Sequence, residues 1–238
     1  MEKRYLKNEN TLSREENLSL REKRVAVVGC GGLGGYIIEQ IARLGIGHIT
    51  VIDGDVFDES NLNRQLLSTV ENIGQAKVLA ARERINKVNP DIKVVIHNLF
   101  LNKDNALDLL QNHDVICDAL DNISTRILLQ TNASQLHIPV VYGAIAGWYG
   151  QVTTLFPGDS IPGSLFRTDL NSSIEQELGN PSFTSGLVAS IQVSEVVKIL
   201  SGKGKCLRNR FMLIDTLEHD IEVFDLHITN PSLHSKKG

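Results

Sequence analysis

A short apolar run, Val-Ala-Val-Val at residues 25–28, leads directly into Gly-Cys-Gly-Gly-Leu-Gly at residues 29–34. Glycines at Gly29, Gly31, Gly32 and Gly34 describe a tight strand-to-helix turn. Missing side chains let backbone approach a phosphate there, and the free N–H groups of a helix start attract an anion. The spacing predicts a helix over 35–44 stopped by Gly45, then a buried strand over 48–52 that ends in Asp53. This is a βαβ unit, whose crossover is right-handed and whose strands are parallel. An acid at the end of the second strand is placed to accept from ribose hydroxyls, although a plain strand-end cap looks the same. The turn alone fits NAD, FAD, ATP or no ligand.

The rest of the 238-residue chain continues the alternation. A polar segment over 1–22 reads as helical, anchored by Leu12, Leu18 and Leu20. Residues 55–67 are irregular. A helix over 74–88 ends at Asn89-Pro90, followed by a strand over 92–97, a short helix over 104–111, a strand over 114–117, a helix over 122–136 and a strand opening at 139–142. Strands then recur at 151–156, 210–214 and 221–224, the last two as an antiparallel pair, with an apolar-faced helix over 187–200. The fold class expected is α/β, Rossmann-like, with a mostly parallel sheet covered by helices and a C-terminal antiparallel extension. The organisation expected is an N-terminal helical segment (1–22), one nucleotide-binding domain (23–228) with a long crossover-type loop over 157–181, and a flexible tail (229–238).

The chemistry lies just beyond Asp53. Asp55 is followed by Ser60-Asn-Leu-Asn-Arg-Gln65, and Lys77 comes 24 residues after Asp53. A nicotinamide site has no need of two cations there. A triphosphate does, because attack on its α-phosphorus spreads negative charge that Arg64 and Lys77 can neutralise, with Gln65 beside them. Asp-Ala-Leu-Asp-Asn at 118–122 ends another parallel strand, at the sheet edge that faces the ligand crevice. Asp121 suits Mg²⁺, which takes one carboxylate plus substrate phosphates. Asp118 supports the turn, and Asn122 caps the next helix.

These blocks, in this order, resemble the ThiF/MoeB/HesA family, bacterial relatives of ubiquitin-activating enzymes. The likeness runs from the glycine turn through the Asp-Gly-Asp…Ser-Asn-Leu-Asn-Arg-Gln block and Gly-Gln-Ala-Lys77 to Asp-Ala-Leu-Asp-Asn, and covers about residues 4–202. The resemblance implies binding of ATP and Mg²⁺ and adenylation of the terminal glycine carboxylate of a small ubiquitin-like sulfur-carrier protein, of the ThiS/MoaD type ending in Gly-Gly, by a homodimer. It implies that Gly32 contacts the nucleotide, Asp53 holds ribose, Ser60, Asn61 and Arg64 line the phosphate site, Lys77 meets the phosphates and Asp121 holds the metal. Arg4-Tyr-Leu-Lys7 is similar to the family's Arg-Tyr-x-Arg, whose second arginine reaches the neighbouring subunit's ATP site. Here Lys7 keeps the charge and loses the planar fork.

Two departures stand out. Paired C-x-x-C motifs, zinc ligands in many members, are absent, so no structural zinc is expected. Where many members carry a cysteine before the late helix, this chain has Pro181-Ser-Phe-Thr-Ser-Gly186, which argues against a thioester or persulfide step there. Cys30 and Cys117 read as inert core residues, and Cys206, near Lys203 and Lys205, as a surface thiol. The aromatic Gly147-Trp-Tyr-Gly150 reads equally as a grip on a partner's tail or a packed strand turn. A net charge of −4 argues against a nucleic-acid surface. No run of 18 to 20 apolar residues and no signal peptide is expected, which points to the cytoplasm. Three other readings stay open: activation of a different carboxylate, on a modified tRNA or a peptide; a nucleotide-holding but catalytically silent partner subunit; and a nicotinamide dehydrogenase.

Overall fold

The structure is a computed structural model, and it describes residues 2–159 and 178–226. Most of the loop expected over 157–181, and the tail over 229–238, lie outside the described residues. In chain order the elements are α1 (Arg14–Ser19), β1 (Arg24–Val28), α2 (Gly32–Leu44), β2 (His48–Ile52), α3 (Lys77–Val88), β3 (Lys93–His97), α4 (Ala106–Leu110), β4 (Val115–Asp118), α5 (Ile123–Gln135), β5 (Val140–Ala146), β6 (Tyr149–Leu155), α6 (Ser182–Ser201), β7 (Arg210–Asp215) and β8 (Asp220–Asp225).

The eight strands form one sheet in the order β3-β2-β1-β4-β5-β6-β7-β8. The first five positions are parallel, and β6, β7 and β8 are antiparallel additions. The expected mostly parallel sheet with an antiparallel extension is therefore present. Alternation along β1 sends Val25 and Val27 into the core beneath α2, α3 and α6, and Ala26 and Val28 into the core beneath α4 and α5. The strand order reverses between β1 and β4. A crevice opens at that point, beyond the carboxyl ends of the strands.

Several boundaries differ from expectation, each for a physical reason. Helix α3 begins at Lys77, not at residue 74. Gly74 has φ +85°, and the backbone around it is tied to an earlier segment: Gly74 N–H donates to the Phe57 carbonyl at 2.8 Å, Phe57 N–H donates to the Gln75 carbonyl at 3.0 Å, and Val56 bridges Ala76. Strands β5 and β6 run further than expected and join as a hairpin through Gly147, from Val140↔Leu155 to Ala146↔Tyr149. The small residues that masked this hairpin are required by packing. A Cβ at Gly143 would lie 2.3 Å from Gln192 Cδ, and one at Gly150 2.3 Å from Val188 Cγ2. Helix α6 starts at Ser182, five residues before the expected 187, and Thr184 Oγ1 donates to the Gly147 carbonyl at 2.8 Å, fixing the hairpin turn. At the N-terminus Leu12 and Leu20 are buried as expected, but Leu18 is exposed; Tyr5 supplies the missing anchor. Its hydroxyl accepts from Asn89 Nδ2 at 2.6 Å.

By length and mean hydropathy α6 would pass as a membrane span. Its interior faces say otherwise. Gln192 and Glu195 are fully buried on it: Gln192 donates to the carbonyls of Asp118 and Val141, and Glu195 accepts from Thr154 Oγ1 and Leu207 N–H. Those bonds mark a core helix laid on the sheet.

Glu39 joins α2 to α3. Its carboxylate accepts from Arg84 at 2.7 and 2.8 Å and from Arg43 at 2.8 Å. The Arg84 bond, then that of Arg43, holds the Glu39 carboxyl below its ordinary value against the cost of burial. A carboxyl whose pKa is lower folded than unfolded stabilises the fold above its ordinary value and loses that contribution as pH falls through the lowered pKa. Glu39→Gln is expected to cost about 1–2 kcal/mol at pH 7. The gap from the parent in urea denaturation should narrow below pH 4.5; a gap that widens there contradicts the account.

Candidate functional site

The crevice at the switch point is a cavity of about 420 Å³. Its floor is the glycine turn. Gly29 has φ +100°, and a Cβ there would sit 2.5 Å from the Ala119 carbonyl oxygen, so only glycine lets the ends of β1 and β4 come this close. Cys30 N–H donates to Asp53 Oδ2 at 2.6 Å and Asp55 N–H to Asp53 Oδ1 at 2.8 Å. Asp53 therefore shapes the glycine turn as well as facing the cavity, and each oxygen keeps a second lone pair for a hydroxyl donor. Burial raises the Asp53 carboxyl above its ordinary value, opposed by those two N–H bonds and by the Lys77 charge.

Lys77 is buried at the start of α3, and its Nζ lies 3.1 Å from Asp55 Oδ2. Arg64 approaches from the 59–65 turn, with Nη1 donating to the Ser60 carbonyl at 2.9 Å and to Asn63 Oδ1 at 2.8 Å. Gln65 is buried, its Oε1 has no hydrogen-bond partner, and its Nε2 faces Gly31. Asp121 and Asn122 complete the rim from the end of β4, and Asn122 Oδ1 accepts from Thr125 N–H at 3.1 Å as the cap of α5. Gly29, Gly31, Gly32, Asp53, Asp55, Arg64, Gln65, Lys77, Asp121 and Asn122 all line this one cavity.

Four expected site residues do not line it. Gly34 is buried in the first turn of α2, where a Cβ would lie 1.9 Å from the Gly29 carbonyl oxygen; it lets the helix pass the turn. Ser60 offers its carbonyl to Arg64, and Asn61 is turned inward, accepting from Asp58 N–H at 3.1 Å. Both build the turn that presents Arg64. Lys7 lies exposed in a 3-10 turn over Lys3–Asn8, away from this cavity.

Arg126, Phe100, Ile145 and Asn180 line the cavity without having been expected there. Arg126 is buried on α5, donates to the carbonyls of Leu120 and Gly143, and stacks 4.8 Å from the Tyr142 ring centre. Its guanidinium lies 3.6 Å from fully buried Asp118. Burial raises the Asp118 carboxyl and the Arg126 charge opposes this. Asp118 Oδ1 accepts from Leu120 N–H at 3.1 Å. Together the pair sets the 119–122 loop and so aims Asp121. A signal existed: Arg126, Leu129 and Ala133 form one helical stripe, and a charge on an apolar stripe needs a partner.

The donor set suits an anionic nucleotide. The glycine turn opens the 13-residue helix α2, and two cations and a buried amide surround its start. Among the described residues no group of three or more His, Cys, Asp or Glu could hold a metal by itself. The lone Asp121 carboxylate instead matches an ion that takes its other ligands from phosphates. Burial raises Cys30, Cys117 and Cys206 alike; Cys30 and Cys117 are buried in the core, and Cys206 is partly covered beside Glu195.

The sequence model of the ThiF family matches residues 5–235. A sulfur carrier protein adenylyltransferase of Thermus thermophilus is 34% identical over 215 residues, covering 84% of this chain and 77% of that protein. A SAMP-activating enzyme E1 of Haloferax volcanii is 33% identical over 215 residues, covering 89% and 79%. A probable adenylyltransferase/sulfurtransferase MoeZ of Mycobacterium tuberculosis is 35% identical over 207 residues, and this chain spans 53% of its length. Among solved structures, E. coli MccB with ATP superposes with a TM-score of 0.77 at 21% identity, covering 89% of this chain and 66% of that one. PaaA gives 0.74 at 21% identity with the same coverage. At that identity the solved neighbours show the fold alone.

Proposed function

The chain belongs to the ThiF family, and from that premise we propose that it is an ATP- and Mg²⁺-dependent adenylyltransferase acting on the C-terminal glycine carboxylate of a small ubiquitin-like sulfur-carrier protein. The observation that carries this reading is that Arg64, Lys77 and Asp121 meet the glycine turn in one cavity. A carboxylate is already a nucleophile at neutral pH. Attack on the α-phosphorus forms an acyl-adenylate and expels pyrophosphate, so no general base is needed and the residues act by position and charge. Asp53 is placed to hold the ribose, Gly31 and Gly32 offer backbone to phosphate, and Lys77 and Arg64 offset the charge that develops. Asp121 would hold Mg²⁺, whose chemistry is to neutralise phosphate oxygens.

Cys30 and Cys117 are buried in the core and none of the three cysteines lines the cavity, which supports a division of labour in which this chain activates the carboxylate and sulfur enters from elsewhere. The same proposal takes residues 23–228 as the catalytic unit, in the cytoplasm, and a homodimer in which exposed Lys7 serves the neighbouring subunit; sedimentation of the purified chain reads that oligomeric state. A second reading, a peptide as acceptor, is favoured by the solved neighbours, several of which are MccB bound to the peptide MccA. ATP–pyrophosphate exchange decides. Exchange that depends on a carrier ending in Gly-Gly supports the first reading; exchange with a free peptide carboxylate and none with carriers replaces it with the second.

A further inference from the structure

The Gly147-Trp148 turn is a packed strand turn in its backbone and an open aromatic surface in its side chains. Ala146 pairs with Tyr149, which leaves Gly147 and Trp148 as the tip of the β5–β6 hairpin. Strand β5 runs parallel to β4, so this tip lies at the carboxyl edge of the sheet, where the cavity opens. Backbone atoms pin it in place. Gly147 N–H donates to the Gly179 carbonyl at 2.7 Å, Thr184 Oγ1 donates to the Gly147 carbonyl at 2.8 Å, and Thr216 donates to the Trp148 carbonyl from N–H at 2.9 Å and from Oγ1 at 2.7 Å. The rings stay outside. Trp148 is 45% exposed, Phe183 of α6 is 48% exposed, and their ring centres lie 4.9 Å apart. Leu178 sits against Gly147, Leu187 lies one turn beyond Phe183 on α6, and both are exposed as well. A fixed apolar surface of this kind, left open beside a cavity, marks a place where a partner is held.

Both arms of the surface begin in the cavity. Ile145 lines it three residues before Trp148, and Asn180 lines it three residues before Phe183. Extended backbone advances about 3.3 Å per residue. A tail that runs out along these arms therefore brings the third or fourth residue from its carboxylate over the rings. We propose that the Trp148–Phe183 pair selects the acceptor by taking a bulky apolar side chain at that place in its tail. The inference rests on the adenylation reading above and deepens it, naming what in the acceptor is recognised. It requires a polypeptide with an extended end, since a small carboxylic acid seated in the cavity does not reach the rings.

Trp148 is the single tryptophan of the chain, so its emission reports this surface alone. The test titrates the full chain, with ATP present, with short serine–glycine peptides that end in Gly-Gly and carry one leucine at different places. Leucine third or fourth from the carboxylate is expected to bind about 10-fold more tightly than leucine placed further back, the effect of partly burying one such side chain. Phe183→Ala keeps the fluorescent probe and is expected to weaken the favoured peptide about 5-fold and to flatten the positional preference, while Phe183→Tyr stays near the parent. No change of emission with any peptide, an affinity indifferent to the place of the leucine, or a preference that survives Phe183→Ala overturns the inference. So does emission that follows the protein's own concentration and ignores peptide, which gives the surface to a second copy of the chain. The outcomes separate this inference from its parent: position-dependent binding with no exchange on any carboxylate sinks the adenylation reading alone, and exchange on a Gly-Gly carrier with emission unmoved by every peptide sinks this inference alone.

Discussion

Lys77→Ala is expected to lower the rate of ATP–pyrophosphate exchange by about 10²- to 10³-fold, the usual cost of removing one preorganised charge from a site where negative charge develops. Lys77 can supply that charge because of how it is held. It is the first residue of α3, its backbone N–H donates to the Asp55 carbonyl at 3.0 Å, and its ammonium is buried within reach of one carboxylate of the same wall. An ammonium withdrawn from water acts through a lower effective dielectric than one at the surface, so its effect on a nearby phosphate is larger. The effect on folding should be small, because the partner Asp55 is 54% exposed and recovers solvent when the lysine is removed; the loss expected is below about 1 kcal/mol. Lys87→Ala, an exposed lysine in the last turn of the same helix, is the matched control and should leave exchange unchanged. Lys77→Arg keeps a charge but spreads it over a planar fork, and should fall between the two. Exchange by Lys77→Ala within a few-fold of the parent would remove the electrostatic account of this site.

Much of that site was legible because its parts are local. The glycine turn, Asp53 and the Asn122 cap each announce themselves through spacing against a strand or helix end, and the βαβ pattern dictates which sheet edge they share. The same locality explains why some expected residues lie off the cavity lining. Gly34 reads as one more phosphate glycine in a run of glycines, and nothing in the run distinguishes a residue that faces a ligand from one that faces the Gly29 carbonyl. Asn61 carries an amide a phosphate would want, yet its Oδ1 closes the turn that delivers Arg64, and Ser60 gives that turn its backbone carbonyl. Phe100 and Arg126 were illegible for the opposite reason. Each reaches the cavity only because strand order brings β3 beside β2 and α5 beneath β5, a pairing that no local pattern states. The β5–β6 hairpin was hidden by glycines at 143, 147 and 150 that weaken any strand pattern. Two of these are demanded by Gln192 and Val188 of a helix that comes some forty residues later.

The adjacent glycines of α2 offer the clearest stability test, because the same substitution should have opposite signs one residue apart. At Gly34 a methyl group would lie 1.9 Å from the Gly29 oxygen and 2.7 Å from its carbon. Both are backbone atoms in a turn already pinned by the Gly29 N–H bond to the Ile52 carbonyl at 2.8 Å and by Cys30 N–H on Asp53. The turn cannot yield without losing those bonds, so α2 must move, and with it Ile37, Ile38 and Ile41, all fully buried. Overpacking of this kind costs about 2–3 kcal/mol, a fall of roughly 5–10 °C in Tm for a chain of this size. At Gly35 a methyl group would meet Leu66 N and Leu67 Cγ at 3.5 Å, ordinary contact distance. There the helix gains what alanine has over glycine, up to about 1 kcal/mol, chiefly because the unfolded chain has less freedom to lose. Thermal and urea unfolding of the two variants should therefore bracket the parent, with Gly34→Ala below it and Gly35→Ala level or above. Equal midpoints for the pair would mean that the close passage of α2 over the glycine turn, on which the shape of the cavity floor depends, is not what holds Gly34 in place.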